Sequence, residues 1–114
     1  MAITEAYANS ATIGTTPYSL PNNSTTPATI TDDGVYQVFL DLNALTITET
    51  YRIQVLERVR SAGTQRVVYE QIVAGPGVPI LVFPSLVLLH GWDVLVTKLA
   101  GTDRAIEWSI RKVA

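Results

Sequence analysis

The chain has 114 residues, 47% of them apolar, a net charge of −2 and no cysteine. That is the length of one domain, enough to bury a core without metal or disulfide staples. The missing thiols remove disulfides, thiolate zinc sites, iron–sulfur ligation and cysteine nucleophiles together. Charge is unevenly spread. Residues 1–51 carry five acids and no Lys or Arg, and residues 52–114 carry eight bases against five acids. One reading is an acidic N-terminal part lying on a basic body; the other is chance in a small sample. No basic patch interleaves with aromatics, so no nucleic-acid partner is expected. Met1 to Glu5 carry neither a basic nor an apolar signal region, so synthesis in the cytoplasm is expected.

Residues 1–33 are dominated by Thr, Ser, Asn, Pro and Ala. Pro17, Pro21 and Pro27 forbid a continuous helix. Ile3, Tyr7, Ile13, Tyr18, Leu20 and Ile30 recur through the stretch as apolar anchors. It reads as an extended arm with one or two short strands, held down by its own body or by a neighbour, with a β body over residues 34–114. Asn22 and Asn23 match the glycosylation pattern, which has no meaning without a secretory route.

The body opens after the turn Asp32-Asp33-Gly34. Val35–Leu42 alternates, with Tyr36, Val38, Leu40 and Leu42 on one face. Asn43–Thr50 is a Thr-rich connection from which Leu45 and Ile47 can reach the core. Tyr51–Arg60 is the clearest strand: Tyr51, Ile53, Val55 and Val59 face inward, and Glu57 interrupts that face. Ser61 to Thr64 turns the chain, and Gln65–Val73 returns to complete a hairpin. The turn Ala74-Gly75-Pro76-Gly77 leads into Val78–Trp92, where Ile80–Phe83 and Leu86–Leu89 are two solid apolar blocks split by Pro84-Ser85. A strand with one wet face alternates, and this stretch does not. It is too short, and too broken by proline, to cross a bilayer as a helix. Both its faces must therefore be dry. One small core dries one face, and another subunit is expected on the other. Trp92–Leu99 and Arg104–Val113 read as a final hairpin, with Ile106, Trp108 and Ile110 sharing a face. No stretch has a helical period. About seven or eight short strands at roughly 10-residue spacing predict an all-β fold, a single antiparallel β-sandwich or jelly-roll-like barrel with an extended N-terminal arm.

No catalytic, cofactor or metal-ligating signature emerges, and an enzyme is not expected. His90 is the lone histidine; it lacks His or Cys partners for a metal and a nucleophile turn for a Ser-based triad. Asp32, Asp33, Asp41 and Asn43 lack calcium-loop spacing and read as turn and cap residues. Glu57, Glu70 and Glu107 lie in predicted strands with nothing to pair them across a cleft. Glu57 is expected in an ion pair with Arg66, Arg104 or a neighbouring subunit. Trp92, the more open of the two tryptophans, offers a sugar platform if exposed, whereas Trp108 reads as core.

The order Asp33-Gly34-Val35-Tyr36-Gln37-Val38-Phe39-Leu40-Asp41-Leu42, then Tyr51-Arg52-Ile53-Gln54-Val55, then Gly91-Trp92-Asp93 and the Ala-Gly-Thr-Asp-Arg turn before Trp108-Ser109-Ile110-Arg111-Lys112 resembles small virion proteins of tailed bacteriophages. The resemblance covers the body from about residue 33 onward and transfers no site residues. It implies a capsid decoration, or cement, protein located in the virion: a non-enzymatic β-sandwich that forms dimers or trimers and ties neighbouring major capsid subunits together. A neck, tail or baseplate subunit fits the same features, and a carbohydrate-binding sandwich is the alternative outside the virion. The expected contact residues are Ile3, Tyr7, Ile13, Tyr18 and Leu20 in the arm and Ile80, Val82, Phe83, Leu86, Leu88 and Trp92 in the apolar stretch. No cofactor and no membrane partner are implied.

Overall fold

A computed structural model describes residues 2–113. Eight strands follow in order: β1 (Ile3–Ile13), β2 (Tyr18–Ser19), β3 (Gly34–Asp41), β4 (Thr50–Glu57), β5 (Arg66–Ala74), β6 (Ile80–Leu88), β7 (Asp93–Ala100) and β8 (Arg104–Val113). They form two four-stranded antiparallel sheets, ordered β1-β8-β3-β6 and β2-β7-β4-β5. The protein is an all-β sandwich, open at its edges and not closed into a barrel. Among the described residues there is no helix.

Alternation builds the core. Tyr36, Val38 and Leu40 of β3 face Tyr51, Ile53 and Val55 of β4 across the sandwich; all six are buried, as are Ile106, Trp108 and Ile110 of β8. Period-2 patterning accounts for each of these strands. Val59 and Ile47, expected inward, stand 93% and 85% exposed. β4 ends at Glu57, before the chain can carry Val59 back under the sheet, and Ile47 sits in the turn between β3 and β4.

Strand pairing decides two expectations. First, of the two supports left open for the N-terminal stretch, its own body or a neighbour, residues 2–33 use the body. β1 lies along β8 from Ile3 opposite Val113 to Ile13 opposite Arg104, and β2 pairs with β7. Ile30 then bridges Trp92. The segment thus supplies an edge strand to each sheet, and its Ile13 and Leu20 are 0% and 1% exposed in the core. The backbone groups of β8 and β7 that would otherwise stand open at the sheet edges are paired in this way.

Second, β7 and β8 are not a hairpin. β7 belongs to one sheet and β8 to the other. The chain crosses between sheets at Gly101, whose φ of +90° a side chain rarely adopts. Thr102 N–H and the Arg104 guanidinium both donate to buried Glu49, the residue just before β4, which holds the crossing in place. Gly-containing turns serve hairpins and sheet-to-sheet crossings equally, and local sequence does not separate them.

β6 explains the two apolar blocks. Tyr36 pairs with Leu86 and Val38 with Phe83, so Pro84 and Ser85 together oppose Gln37. This bulge shifts the side-chain period by one. Leu81 and Phe83 before it, and Leu86 and Leu88 after it, turn to the core. Ile80, Val82 and Val87 are exposed at 50%, 37% and 78%.

Candidate functional site

β5 and β6 are both free edges, each hydrogen-bonded to one neighbour only. They lie over one another on the same flank of the sandwich, where the rings of Tyr69 and Phe83 meet edge-on with centroids 5.2 Å apart. Between the strands runs a groove of about 440 Å³ lined by Val68, Tyr69, Val82, Phe83, Leu86 and Val87. Val68 and Tyr69 are about half exposed. Val68 is there because β5 bulges: Val55 pairs with Tyr69 and Leu56 with Val67, which leaves Val68 unpaired.

The stretch from Val67 to Leu89, which makes this flank, contains a single charged side chain, Glu70. Its carboxylate accepts from Gln54 Nε2 at 2.7 Å. Glu57 closes one end of the groove. It forms no ion pair with Arg66 or Arg104, contrary to expectation. Its carboxylate instead accepts the backbone amides of Leu89 at 2.6 Å, His90 at 3.0 Å and Arg58 at 2.9 Å. Glu57 therefore fixes the end of β6 and the turn into β7, and amides exposed by the end of the ladder find their acceptor there.

Of the expected contact residues, Val82 lines the β5–β6 groove exposed and Leu86 lines it half-buried, Ile80 stands 50% exposed beside Phe39 and Asp41 on the outer face of its sheet, and Ile3 stands 63% exposed on the opposite edge strand. Tyr7 and Tyr18 are half-buried against the core. Ile13, Leu20, Phe83, Leu88 and Trp92 are corrected from contact to core, each at 4% exposure or less. Trp92 is enclosed by Tyr7 and Tyr36, and its Nε1 donates to Asp32 O at 3.0 Å, so it offers no open sugar platform. Val68, Tyr69 and Val87 were not among the expected residues. The β-rich run Gln65–Val73 carried the signal for Val68 and Tyr69 and the block Leu86–Leu89 that for Val87, but their exposure depends on β5 and β6 being edges.

The outer face of the β1-β8-β3-β6 sheet carries side-chain contacts of its own. A groove of about 510 Å³ crosses the outer face of the β1-β8-β3-β6 sheet and includes Glu5, Phe39, Asp41, Glu107, Ser109 and Arg111. There the Arg111 guanidinium covers the Phe39 ring at 3.8 Å, Ser109 Oγ donates to Glu5 at 2.6 Å, and Arg111 Nε donates to Ser109 Oγ at 3.2 Å. Asp32 accepts from Lys112 Nζ and from the Tyr36 hydroxyl, and these contacts lower its pKa. Among the described residues no cluster of three or more His, Asp or Glu side chains is arranged to hold a metal ion.

Two buried carboxylates are structural. Glu49 accepts from Thr46 N at 2.7 Å, Arg104 Nε at 2.9 Å and the Thr48 hydroxyl. The Thr48 hydroxyl, with the Thr46 amide and the Arg104 guanidinium, holds its carboxyl well below the usual carboxylate range despite desolvation. Asp93 accepts from Ser19 Oγ at 2.7 Å and Ala28 N at 3.0 Å, and burial pushes its carboxyl up.

No protein-family model and no curated protein matches the chain. Among solved structures it is similar to a xylan-binding domain from carbohydrate-binding module family 22, with 18% identity over 86% of this chain and 64% of that one and a TM-score of 0.43. It is also similar to an Eiger TNF from S. frugiperda, with 13% identity over 97% and 88% of the two chains and a TM-score of 0.47. The C-terminal family 22 carbohydrate-binding module of Clostridium thermocellum Xyn10B gives 17% identity, 86% and 64% coverage and a TM-score of 0.41. The chain thus spans 64% of the length of the two family 22 structures. The sandwich rests on its own strand pairing, and no ligand or partner passes from these proteins to this chain.

Proposed function

We propose that the protein is a non-catalytic structural subunit that works by association, with the β5–β6 flank as the seat for another polypeptide. The observation that carries this is the apolar groove between two unpaired sheet edges, lined by Val68, Tyr69, Val82, Phe83, Leu86 and Val87. Monomers rarely leave such a surface in water. The bacteriophage resemblance suggests the setting. In that reading the chain decorates a capsid, docking on major capsid protein, or serves as a neck, tail or baseplate subunit, and it is located in the virion. Attachment then runs through the flank and not through residues 1–33, whose strands are engaged in the chain's own sheets.

Incorporation into particles tests both parts. Gradient-purified virions from cells making the wild-type chain are expected to carry it at a fixed copy number, and virions from cells making the double variant Val82→Lys/Val87→Lys to lack it. Wild-type virions free of the chain would refute the virion setting. Virions holding the double variant at full copy number would refute the flank as the seat.

A further inference from the structure

We infer that the groove between β5 and β6 takes an extended strand of its partner polypeptide, which pairs with the free edge of β5 and seats two apolar side chains, four residues apart, on either side of Gln71; this rests on the reading of the groove as a seat for another polypeptide. The backbone selects β5 as the acceptor. Gly75 N–H donates to Glu49 O at 3.1 Å, so Thr50 and Ala74 oppose one another as a non-hydrogen-bonded pair. Alternation then points the backbone groups of Tyr69, Gln71 and Val73 at β4 and those of Glu70, Ile72 and Ala74 away from it. β5 has no second ladder neighbour. The outward N–H and C=O groups therefore stand open to an added strand.

The other three edges are blunted. β2 is two residues long. On β6, Leu42 N–H donates to Pro79 O at 2.6 Å. By the same count the backbone of Ile80, Val82 and Pro84 turns outward, and Pro84 has no N–H to give. β1 breaks register at Ala6, and beyond the break Ala8, Asn9 and Ala11 are poor strand formers. β5 has neither the proline nor the lysine that guards exposed edges, and its one bulge, at Val68, precedes the outward series.

Side chains set what the added strand must carry. Gln71 lines two wells. One is the groove at Tyr69 and Phe83; the other, of about 270 Å³, lies toward Val73 and is lined also by Leu42, Leu45 and Leu81. Tyr69 and Val73 are four residues apart, about 13 Å along a strand. A strand that follows β5 thus places apolar side chains at i and i+4 in the wells, and its residue i+2 meets the Gln71 amide, where a small polar side chain fits. Glu57 at the groove end and Glu70 on β5 are acids, and no Lys or Arg lies between Val67 and Leu89. The strand therefore carries basic residues or no charge, and no Asp or Glu.

Amide hydrogen exchange followed by NMR on the full chain tests the inference, with the end-blocked nonapeptide Lys-Thr-Val-Thr-Ser-Thr-Val-Thr-Lys as the probe. Its dissociation constant is expected at about 100 µM. At about 1 mM peptide, exchange at Glu70, Ile72 and Ala74 should slow by about tenfold, with Ile80 and Val82 unchanged. The same composition with its valines adjacent should bind about tenfold more weakly. Ile72→Pro removes an outward N–H that the chain's own ladder does not use, and should weaken binding about tenfold or more with circular dichroism unchanged. Binding that slows none of the three amides, or that ignores both Ile72→Pro and the valine spacing, would overturn the strand and leave a partner held by side chains alone. No binding at about 1 mM would overturn the stated strand chemistry; the groove as a seat then stands or falls on the Val82→Lys/Val87→Lys particles. Slowing of the same amides by raised protein concentration, with no response to the peptide, would overturn it too, since β5 would then pair with a second copy.

Discussion

The Tyr51 hydroxyl joins the two sheets at one point. It donates to Ile13 O at 2.6 Å and accepts from Arg104 N at 2.9 Å, and Ile13 and Arg104 are themselves opposed across the β1–β8 ladder. The phenol oxygen of β4 is therefore interposed in a rung of the other sheet. Tyr51→Phe keeps the ring in its buried position and removes only that oxygen. One buried carbonyl and one buried amide then lose their partner. Each unsatisfied group costs roughly 1–3 kcal/mol, so the variant should lose about 2–6 kcal/mol of stability. That corresponds to a fall in Tm of about 8 °C or more. Urea unfolding followed by tryptophan fluorescence is the assay, with the m-value expected to stay constant. Tyr69→Phe is the control, since Tyr69 is 46% exposed and its hydroxyl reaches Gln71 only at 3.4 Å. A loss under about 0.5 kcal/mol for Tyr51→Phe would refute the reasoning; the rung would then close directly between Arg104 and Ile13 at no cost.

Further predictions follow from the buried groups and the flank. Because the folded pKa of Glu49 lies below its ordinary value of 4.5, its stabilisation is complete above that value and is lost as pH falls through the folded one. Urea titrations from neutral to acid pH should show a shallower acid loss for Glu49→Gln than for wild type. Asp93, with its folded pKa raised above 3.8, contributes in the opposite sense: its stabilisation is present below that value and is lost as pH rises through the folded one. Asp93→Asn should therefore steepen the acid loss. Ile13→Ala should cost about 2–4 kcal/mol in the same assay, and deletion of residues 1–30 should abolish cooperative unfolding. Val87→Lys should change monomer stability by less than about 0.5 kcal/mol, because Val87 is 78% exposed.

What the sequence made legible was local. Alternation identified β3, β4 and β8 with their inward faces, and the unbroken blocks around Pro84-Ser85 identified a strand with a second apolar face. The bulge that serves both blocks was not visible, because a register shift is a relation between β6 and β3. The apolar anchors of the N-terminal stretch showed that it is held down, but not by what; long-range pairing with β8 and β7 decides that for residues 2–33. Gly101 could not announce whether its turn closed a hairpin or crossed between sheets. Trp92 reads as open from its turn-like neighbours Gly91 and Asp93, yet the edges of Tyr7 and Tyr36 enclose it. Glu57 interrupts an apolar face in sequence, which suggested an ion pair; in space its nearest unmet partners are backbone amides.

The most direct test of the flank is a methyl NMR spectrum of Val-, Leu- and Ile-labelled protein recorded across a concentration series. The expected result is concentration-dependent shift or broadening confined to Val68, Val82, Leu86 and Val87, with Ile3, Ile47 and Val59 unchanged. Changes centred on Ile3 and the β1 edge, with the β5–β6 methyls constant, would contradict the flank as the surface by which this protein associates.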